Sequence, residues 1–542
     1  VGETAMGAQV AGVYPAREGF ELLRKEQVYL AIILVAGFSY YISYFNYGIS
    51  LSDEGFFVYG AERVLQGQLP MSDFISYPPG SYFLLALLFK IFGVNLLVSR
   101  LMEMAFLLFN GVMMFFIGKR LMPRPMALIP AFLLIGFPGP WYKVFFTFGL
   151  LLPLVSLYRF LEKRSTLRIV TVGWCLGISL VFKFESFLCS FVTSLFVLFV
   201  AQAWEKEKVF IDGRRVKAFL KDVLFSWFGL LCVLLPFMVY YQWNSDLSAL
   251  FLSFKESYAP SNIETTGGFF DKPSIVGAIT KFHIGSLQHQ LFFLIVLLYL
   301  YVVCKLIVDF FKEKREEFPV LLPVLIMGVL SLSYAYVNFD KSHLLQSAAM
   351  AYLLFGFVLH STTEGRGMKS KIGLIVLLSL LCLYILDNYK MRAYFHSGSI
   401  RCLYVINREG RNLFSSRKGS VYVEKRQWNT LNGLLRSFEG EKGYLLPLYY
   451  DPMVNFLTGL ENPTKYSILF PSFFQAKGRQ EQVIAGIERF DIKYLLIPRL
   501  LMGDEGSFRF SDYAPGLYEY VRRRYAFQRE VEYYLVFSRQ PF

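Results

Sequence analysis

The sequence predicts an all-α polytopic membrane domain followed by a small α/β domain, and three observations carry that fold class. The chain of 542 residues is 55% hydrophobic and 18% aromatic with a mean hydropathy of +0.43, too apolar for a soluble protein of this length. Its apolar residues are gathered into runs long enough for membrane helices, separated by short basic connections. Beyond Asp387 the composition returns to an ordinary soluble mix in which short apolar runs alternate with helical ones. The formal net charge of +14 lies mostly in the connections, as cytoplasmic Lys and Arg do, and needs no nucleic-acid partner to explain it. Cys175, Cys189, Cys232, Cys304 and Cys382 fall inside apolar segments and Cys402 stands alone, so neither a disulfide framework nor metal-ligand spacing is visible.

Taken in order, about eleven segments approach the roughly 20 apolar residues that a span needs: 27–47, 97–118, 125–140, 144–160, 168–182, 187–204, 222–243, 287–308, 319–337, 344–361 and 372–388. The polar lead ahead of the first span is not a cleavable signal, because no small-residue cleavage site follows the apolar run. The run Ser81–Phe92 is too short to cross comfortably and ends at Gly93, which predicts an interfacial helix. Sidedness supports that choice. With this run in the interface, the basic clusters at Arg24-Lys25, Lys119 to Arg124, Arg159 to Arg168, Lys206 to Lys221, Lys305 to Arg315 and Arg366 to Lys371 share one side, the cytoplasm. The other side receives the loop 48–96, the connection Phe182-Lys183-Phe184-Glu185, the loop Asn244 to Gln288 and the tract Asn338 to His343. Residues 1–388 are therefore read as a transmembrane domain and 389–542 as a soluble domain outside the cytoplasm. In the latter, Gly443–Tyr449 and Asp491–Pro498 are predicted strands, and Trp428–Phe438 and Arg479–Phe490 predicted helices. The tract Phe456–Thr464 reads as ordinary turn chemistry.

Ionisable residues scattered over the chain thus converge on one membrane face, where charge persists only if water, substrate or protein partners meet it. The principal stretch is Ser50–Gly80, opened by the carboxylates Asp53-Glu54 and closed by Tyr77-Pro78-Pro79-Gly80. Arg63, Arg100 and Glu185 read as solvated or intrahelical partners. Phe56, Phe57, Tyr59, Tyr82, Trp141 and Tyr142 read as a membrane-interface belt. The sequence contains no phosphate-binding Gly-x-x-x-x-Gly-Lys-Ser/Thr loop, no His-Glu-x-x-His, no Gly-x-Ser-x-Gly and no internal repeat.

An N-terminal span followed at once by Asp53-Glu54, then Tyr59-x-Ala61, Gly67, Pro70, Asp73, the Tyr77 to Gly80 turn, Gly93 and Arg100, resembles the membrane glycosyltransferases of the GT-C superfamily. Within it, the pattern is similar to the branch of protein O-mannosyltransferases, lipid A aminoarabinose transferases and their bacterial relatives. Gly173-x-x-x-Gly177 leading into Phe182-Lys183-Phe184 and Asp340-x-x-His343-Leu344-Leu345-Gln346 resemble two further motifs of that superfamily. Where aminoarabinose transferases carry basic residues after the acidic pair, this chain has Phe56 and Tyr77. The resemblance implies a polyprenyl-phosphate-linked sugar donor, a glycan, lipid or protein acceptor, and inverting transfer at the outer face of a bacterial inner membrane.

Single-displacement transfer needs a base for the acceptor hydroxyl and cations or dipoles for the departing phosphate. Asp53, at the end of a span, is the candidate base, with Glu54 orienting the acceptor or joining Asp53 in holding a divalent metal if one is used. Lys183, His343 and Lys341 are candidates for the phosphate; Lys183 and Lys341 otherwise read as residues snorkelling to the interface. Asp340, Tyr77 and Glu185 are supporting residues. Two other function classes stay open: a transporter or flippase of lipid-linked sugars, whose sites lie nearer the midplane between repeated halves, and an inactive relative serving envelope glycan assembly.

Overall fold

The computed structural model describes residues 19–137, 143–205, 208–209, 213–245, 248, 273–275, 277, 287–311, 318–337, 339, 341–364, 411–502 and 509–540. The chain forms two compact units, one of Val1–Ser43, Glu103–Tyr240 and Phe270–Lys390, the other of Tyr44–Met102, Tyr241–Phe269 and Met391–Phe542. Its first helices are α1 Gly19–Ile42, α2 Asp53–Leu65, α3 Gly80–Phe92, α4 Leu96–Leu121, α5 Arg124–Gly136, α6 Val144–Glu162 and α7 Thr166–Phe182. They are followed by α8 Phe184–Ala203, α9 Gly213–Asn244, α10 Gln288–Phe311, α11 Phe318–Val337, α12 Lys341–Ser347 and α13 Ala349–Glu364. The C-terminal part contributes β1 Arg411–Ser416, β2 Gly419–Glu424, α14 Lys425–Ser437, β3 Leu445–Pro447, α15 Met453–Thr458, α16 Arg479–Arg489, β4 Tyr494–Pro498, α17 Pro515–Arg524, β5 Tyr525–Val531 and β6 Tyr534–Arg539.

The first unit is helical, and the chain is an integral membrane protein. Among the described residues, six helices are long and apolar enough to cross a membrane: α4, α6, α9, α10, α11 and the Phe184–Gln202 portion of α8. The segments expected to span around α1, α5, α7 and α13 form shorter apolar helices, so length and composition do not carry the expected count of about eleven. The span expected at 344–361 is broken between α12 and α13, and the one at 372–388 lies outside the described residues. Helix α6 is the centre of the bundle, with 83% of its apolar window buried against 17% for α9. The outward Leu224, Trp227, Phe228 and Leu235 of α9 form a surface suited to lipid rather than water. Between α7 and α9 the backbones approach closely because small residues meet. A Cβ on Gly173 would lie 1.7 Å from the Ser226 carbonyl oxygen, and one on Gly229 would lie 2.0 Å from that of Val170. The Gly173-x-x-x-Gly177 spacing therefore has a packing cause.

The second unit joins the loop between α1 and α4 to the C-terminal part of the chain. The run expected in the interface is helix α3, stopped at Gly93 with φ +86°. The strand order is β3-β4-β6-β5, with β3–β4 parallel and the other pairs antiparallel. Strands β1 and β2 form a separate antiparallel hairpin in which Phe414 faces Val421, turning at Gly419 with φ +122°. Backbone hydrogen bonds tie the two parts together: Tyr422 N to Asn46 O at 2.9 Å, Gly48 N to Tyr422 O at 2.8 Å, Ile75 N to Lys465 O at 2.9 Å and Met453 N to Leu51 O at 3.1 Å. Residues read from the sequence as an interface belt pack instead as core: Phe56, Phe57, Tyr59 and Tyr82 are 4%, 5%, 3% and 0% exposed. Phe57 stacks on Tyr77 and Tyr82, and Phe56 meets Tyr77 edge-on, because helices α2 and α3 fold back as a pair that needs an apolar seam. Trp141 and Tyr142 lie outside the described residues.

Candidate active site

The two adjacent carboxylates have different environments. Both begin helix α2, where acidic residues complement the helix N-terminus. Glu54 is 3% exposed, and Arg100 grips it with two bonds, Nε to Oε1 at 2.7 Å and Nη2 to Oε2 at 3.0 Å. The same guanidinium donates to the carbonyls of Phe45 at 2.7 Å, Tyr47 at 3.3 Å and Gly48 at 2.6 Å. Both oxygens of Glu54 are thereby taken by a fixed cation that also ties down the chain entering the loop. Arg100 is thus neither solvated nor an intrahelical partner, since at 1% exposure its charge demands a carboxylate and carbonyl acceptors.

Asp53 is half-buried, and its Oδ1 accepts a hydrogen bond from the Tyr450 hydroxyl at 2.8 Å. The Tyr450 ring lies between Phe56 and Phe470, with centroids at 5.8 and 5.1 Å. This approach requires a glycine two residues after Asp53, because a Cβ on Gly55 would fall 2.3 Å from Met453 N. Chemically, the pair is divided into one carboxylate locked as a structural anion and one free to meet solvent or substrate.

The rest of the loop is built as a rigid support. Arg63, expected to be solvated, is 1% exposed; it donates to Gln68 Oε1 at 2.6 Å and Thr464 O at 3.0 Å and lies 4.5 Å from the Phe74 ring centroid. Burial pushes its guanidinium down to about 10 and the Tyr59 phenol up to about 12. Tyr59 Oη accepts from Asn462 N at 2.6 Å, and Glu62 pairs with Lys418. Asp73 Oδ2 accepts from Leu69 N at 2.7 Å, closing its own turn. Tyr77 is half-buried and stacks on Phe57 at 5.7 Å. In the tract Phe456–Thr464, Asn462 Oδ1 accepts from Thr464 N at 3.1 Å and Oγ1 at 2.7 Å, an Asx-type turn.

In the membrane unit, Lys183 occupies the junction of α7 and α8 and its Nζ lies 3.1 Å from Glu185 Oε1. The junction is clamped by Ser186 Oγ donating to Lys183 O at 2.8 Å, and by Phe182 packed among Phe106, Phe145 and Phe148. His343 Nε2 lies 3.0 Å from Lys143 Nζ, with Ser342 Oγ 3.5 Å from the same nitrogen. Lys143 was missed by sequence reasoning; its position at the mouth of α6, the most enclosed of the six long apolar helices among the described residues, becomes informative only once α12 is placed beside it. Asp340 lies outside the described residues, as does the Lys341 side chain. No group of three or more His, Cys, Asp or Glu suited to a metal occurs among the described residues, and Glu54 would have to surrender Arg100 to become a ligand.

No protein-family model and no curated protein matches the sequence. Among solved structures, the chain is similar to ArnT from Cupriavidus metallidurans bound to undecaprenyl phosphate. That likeness has a TM-score of 0.50 and 11% identity, and covers 96% of this chain and 98% of that one. The fold is that of the GT-C membrane glycosyltransferases. The same ArnT in its apo state gives a TM-score of 0.48 at 10% identity over 97% of this chain and 98% of that one. The archaeal oligosaccharyltransferase AglB from Archaeoglobus fulgidus, in complex with an inhibitory peptide and a dolichol-phosphate, gives 0.49 at 11% identity over 94% and 74%. Residues Tyr44–Met102 fall in the same unit as the C-terminal part of the chain.

Proposed function

We propose that this GT-C chain is a glycosyltransferase that moves a sugar from a polyprenyl-phosphate-linked donor to a glycan, lipid or protein acceptor, with inversion at the anomeric carbon. Asp53 takes the proton from the acceptor hydroxyl as that oxygen bonds to the anomeric carbon. The bond from that carbon to the phosphate oxygen breaks, releasing polyprenyl phosphate. One observation carries the reading: of two adjacent carboxylates, Glu54 is held by Arg100 while Asp53 stays half-buried and accepts an oriented hydrogen bond from Tyr450. Lys183, Lys341 and His343 are assigned to the phosphate, and Lys143 joins His343 on its distance of 3.0 Å. The undecaprenyl phosphate bound to the ArnT of similar fold supports a lipid phosphate as the donor's carrier. Tyr77 and Glu185 support these groups through packing and ion pairing, and Asp340 is kept as a supporting residue from its motif.

The site and the soluble part are placed on the outer face of a bacterial inner membrane, which labelling of Ser72→Cys and Ser416→Cys from outside checks. The decisive experiment supplies polyprenyl-phosphate sugars to the purified protein in nanodiscs. Asp53→Asn should lower transfer by about 10²- to 10⁴-fold, the usual worth of a positioned base, while lipid-phosphate binding persists. Transfer at near wild-type rate in that variant overturns the reading.

A further inference from the structure

We propose that Tyr450, supplied by the C-terminal part of the chain, is a positioning residue that orients the Asp53 carboxylate for proton transfer. The inference rests on the reading of Asp53 as the base and adds that the soluble part does more than cover the loop.

The geometry is specific. Tyr450 Oη donates to Asp53 Oδ1 at 2.8 Å, occupying that oxygen and leaving Oδ2 for the acceptor's proton. The phenol has little freedom to move, being 7% exposed and flanked by Phe56 and Phe470. Its backbone is fixed on both sides. Leu448 N donates to Leu496 O of β4 at 2.8 Å, Leu469 N to Tyr449 O at 2.9 Å, and Val454 N to Asp451 O at 3.1 Å. Tyr450 therefore sits in the bend three residues beyond β3, and the hydrogen bonds on either side of it fix where its hydroxyl is presented. Burial and the facing Asp53 carboxylate push the phenol well above its ordinary value, so over the working pH range it remains a neutral donor that cannot compete for the proton. A hydrogen bond to a carboxylate holds that group in one rotamer, the condition for a high effective molarity. Nothing in the sequence near Tyr450 signals this, because the two residues are 397 positions apart.

The test uses the full-length chain in nanodiscs and the variants Tyr450→Phe, Asp53→Asn and their combination. Tyr450→Phe keeps the ring and its packing and removes only the hydroxyl. We expect kcat to fall by about 10- to 100-fold, the range for a hydrogen bond to a charged group, with KM for donor and acceptor unchanged. In the Asp53→Asn background the same substitution should lower the residual rate by less than about twofold, because acting units are non-additive. A merely structural tyrosine would cost the same factor in both backgrounds and would lower the thermal unfolding midpoint of both, and that result overturns the proposal. A wild-type rate for Tyr450→Phe beside an inactive Asp53→Asn overturns this proposal alone. An active Asp53→Asn removes the base reading and this proposal with it.

Discussion

Replacing Arg100 with leucine separates a structural Glu54 from a chemical one, and the size of the effect follows from what the guanidinium touches. In the native protein Arg100 satisfies both Glu54 oxygens and the carbonyls of Phe45, Tyr47 and Gly48, with the two side chains 1% and 4% exposed. Leucine would leave a carboxylate in a closed site with no cation, which costs about 3–5 kcal/mol when a buried pair is broken. The freed carbonyls add to that, at about 1–3 kcal/mol for each that stays buried without a new partner. A loss on the order of 5 kcal/mol is expected, comparable with the whole stability of many domains at about 5–15 kcal/mol. Glu54→Leu should be destabilising by a similar route, through an unpaired guanidinium. The double variant removes both charges and should recover at least about 2 kcal/mol relative to the sum of the singles. The assay is denaturant-driven unfolding of the purified protein in mixed micelles, followed by circular dichroism. Single variants within about 1 kcal/mol of wild type, or strict additivity in the double, would refute the argument that Glu54 is a structural anion.

Asp451 supplies a pH prediction. Burial pushes its carboxyl up to about 6 against the opposing hydrogen bond with Tyr534, so between about pH 4 and 6 the folded chain keeps a proton that the unfolded chain has lost. Stability should fall as pH rises through that window, by about 3 kcal/mol in all, and then level off; Asp451→Asn should flatten the curve, and an unchanged slope would contradict this. Gly173→Leu should abolish accumulation of folded protein on size-exclusion chromatography, because its Cβ would sit 1.7 Å from the Ser226 carbonyl on a backbone that cannot step aside; a monodisperse variant would show that α7 and α9 can separate. Lys143→Ala and Lys183→Ala should each weaken use of the lipid-phosphate donor by about 10- to 100-fold without a matching loss in acceptor use, and equal losses on both substrates would return them to packing roles.

The membrane helices were legible because long apolar runs between basic connections report a lipid environment, and α6, α9, α10 and α11 lie close to where hydropathy placed them. The Asp53-Glu54 stretch was legible as a place but not as a geometry. The partners that divide its two carboxylates, Arg100 and Tyr450, come from 46 and 397 positions away, and a single sequence says nothing about pairings at that separation. The same reason hides Arg63: a basic residue in a helix of a polar loop is ordinarily wet, and only the Thr464 carbonyl and the Phe74 ring explain its burial. In the C-terminal part, the apolar strands β3 and β4 stood out as buried runs. The hairpins β1–β2 and β5–β6 were diluted below the same signal: β2 is only partly buried, and four consecutive residues of β5 are exposed.

The pairing of residues 46–75 with residues 422–465 sets the timetable on which this protein can be made. The loop leaves the ribosome early, yet Tyr450, the partner of Asp53, follows 397 positions later, an interval of roughly 20–80 s at about 5–20 residues per second. Throughout that interval the acidic pair, the aromatic seam of α2 and α3 and the unpaired backbone of the loop have to be kept from wrong partners. The Arg100 clamp is complete within 46 positions of Glu54, so it can close first and hold the loop in register while the rest of the chain arrives. A chain truncated before Arg411 should therefore keep its membrane helices while Ser50–Gly80 becomes a target for added protease. Protease access to this loop would then report whether residues 422–465 have been made and paired.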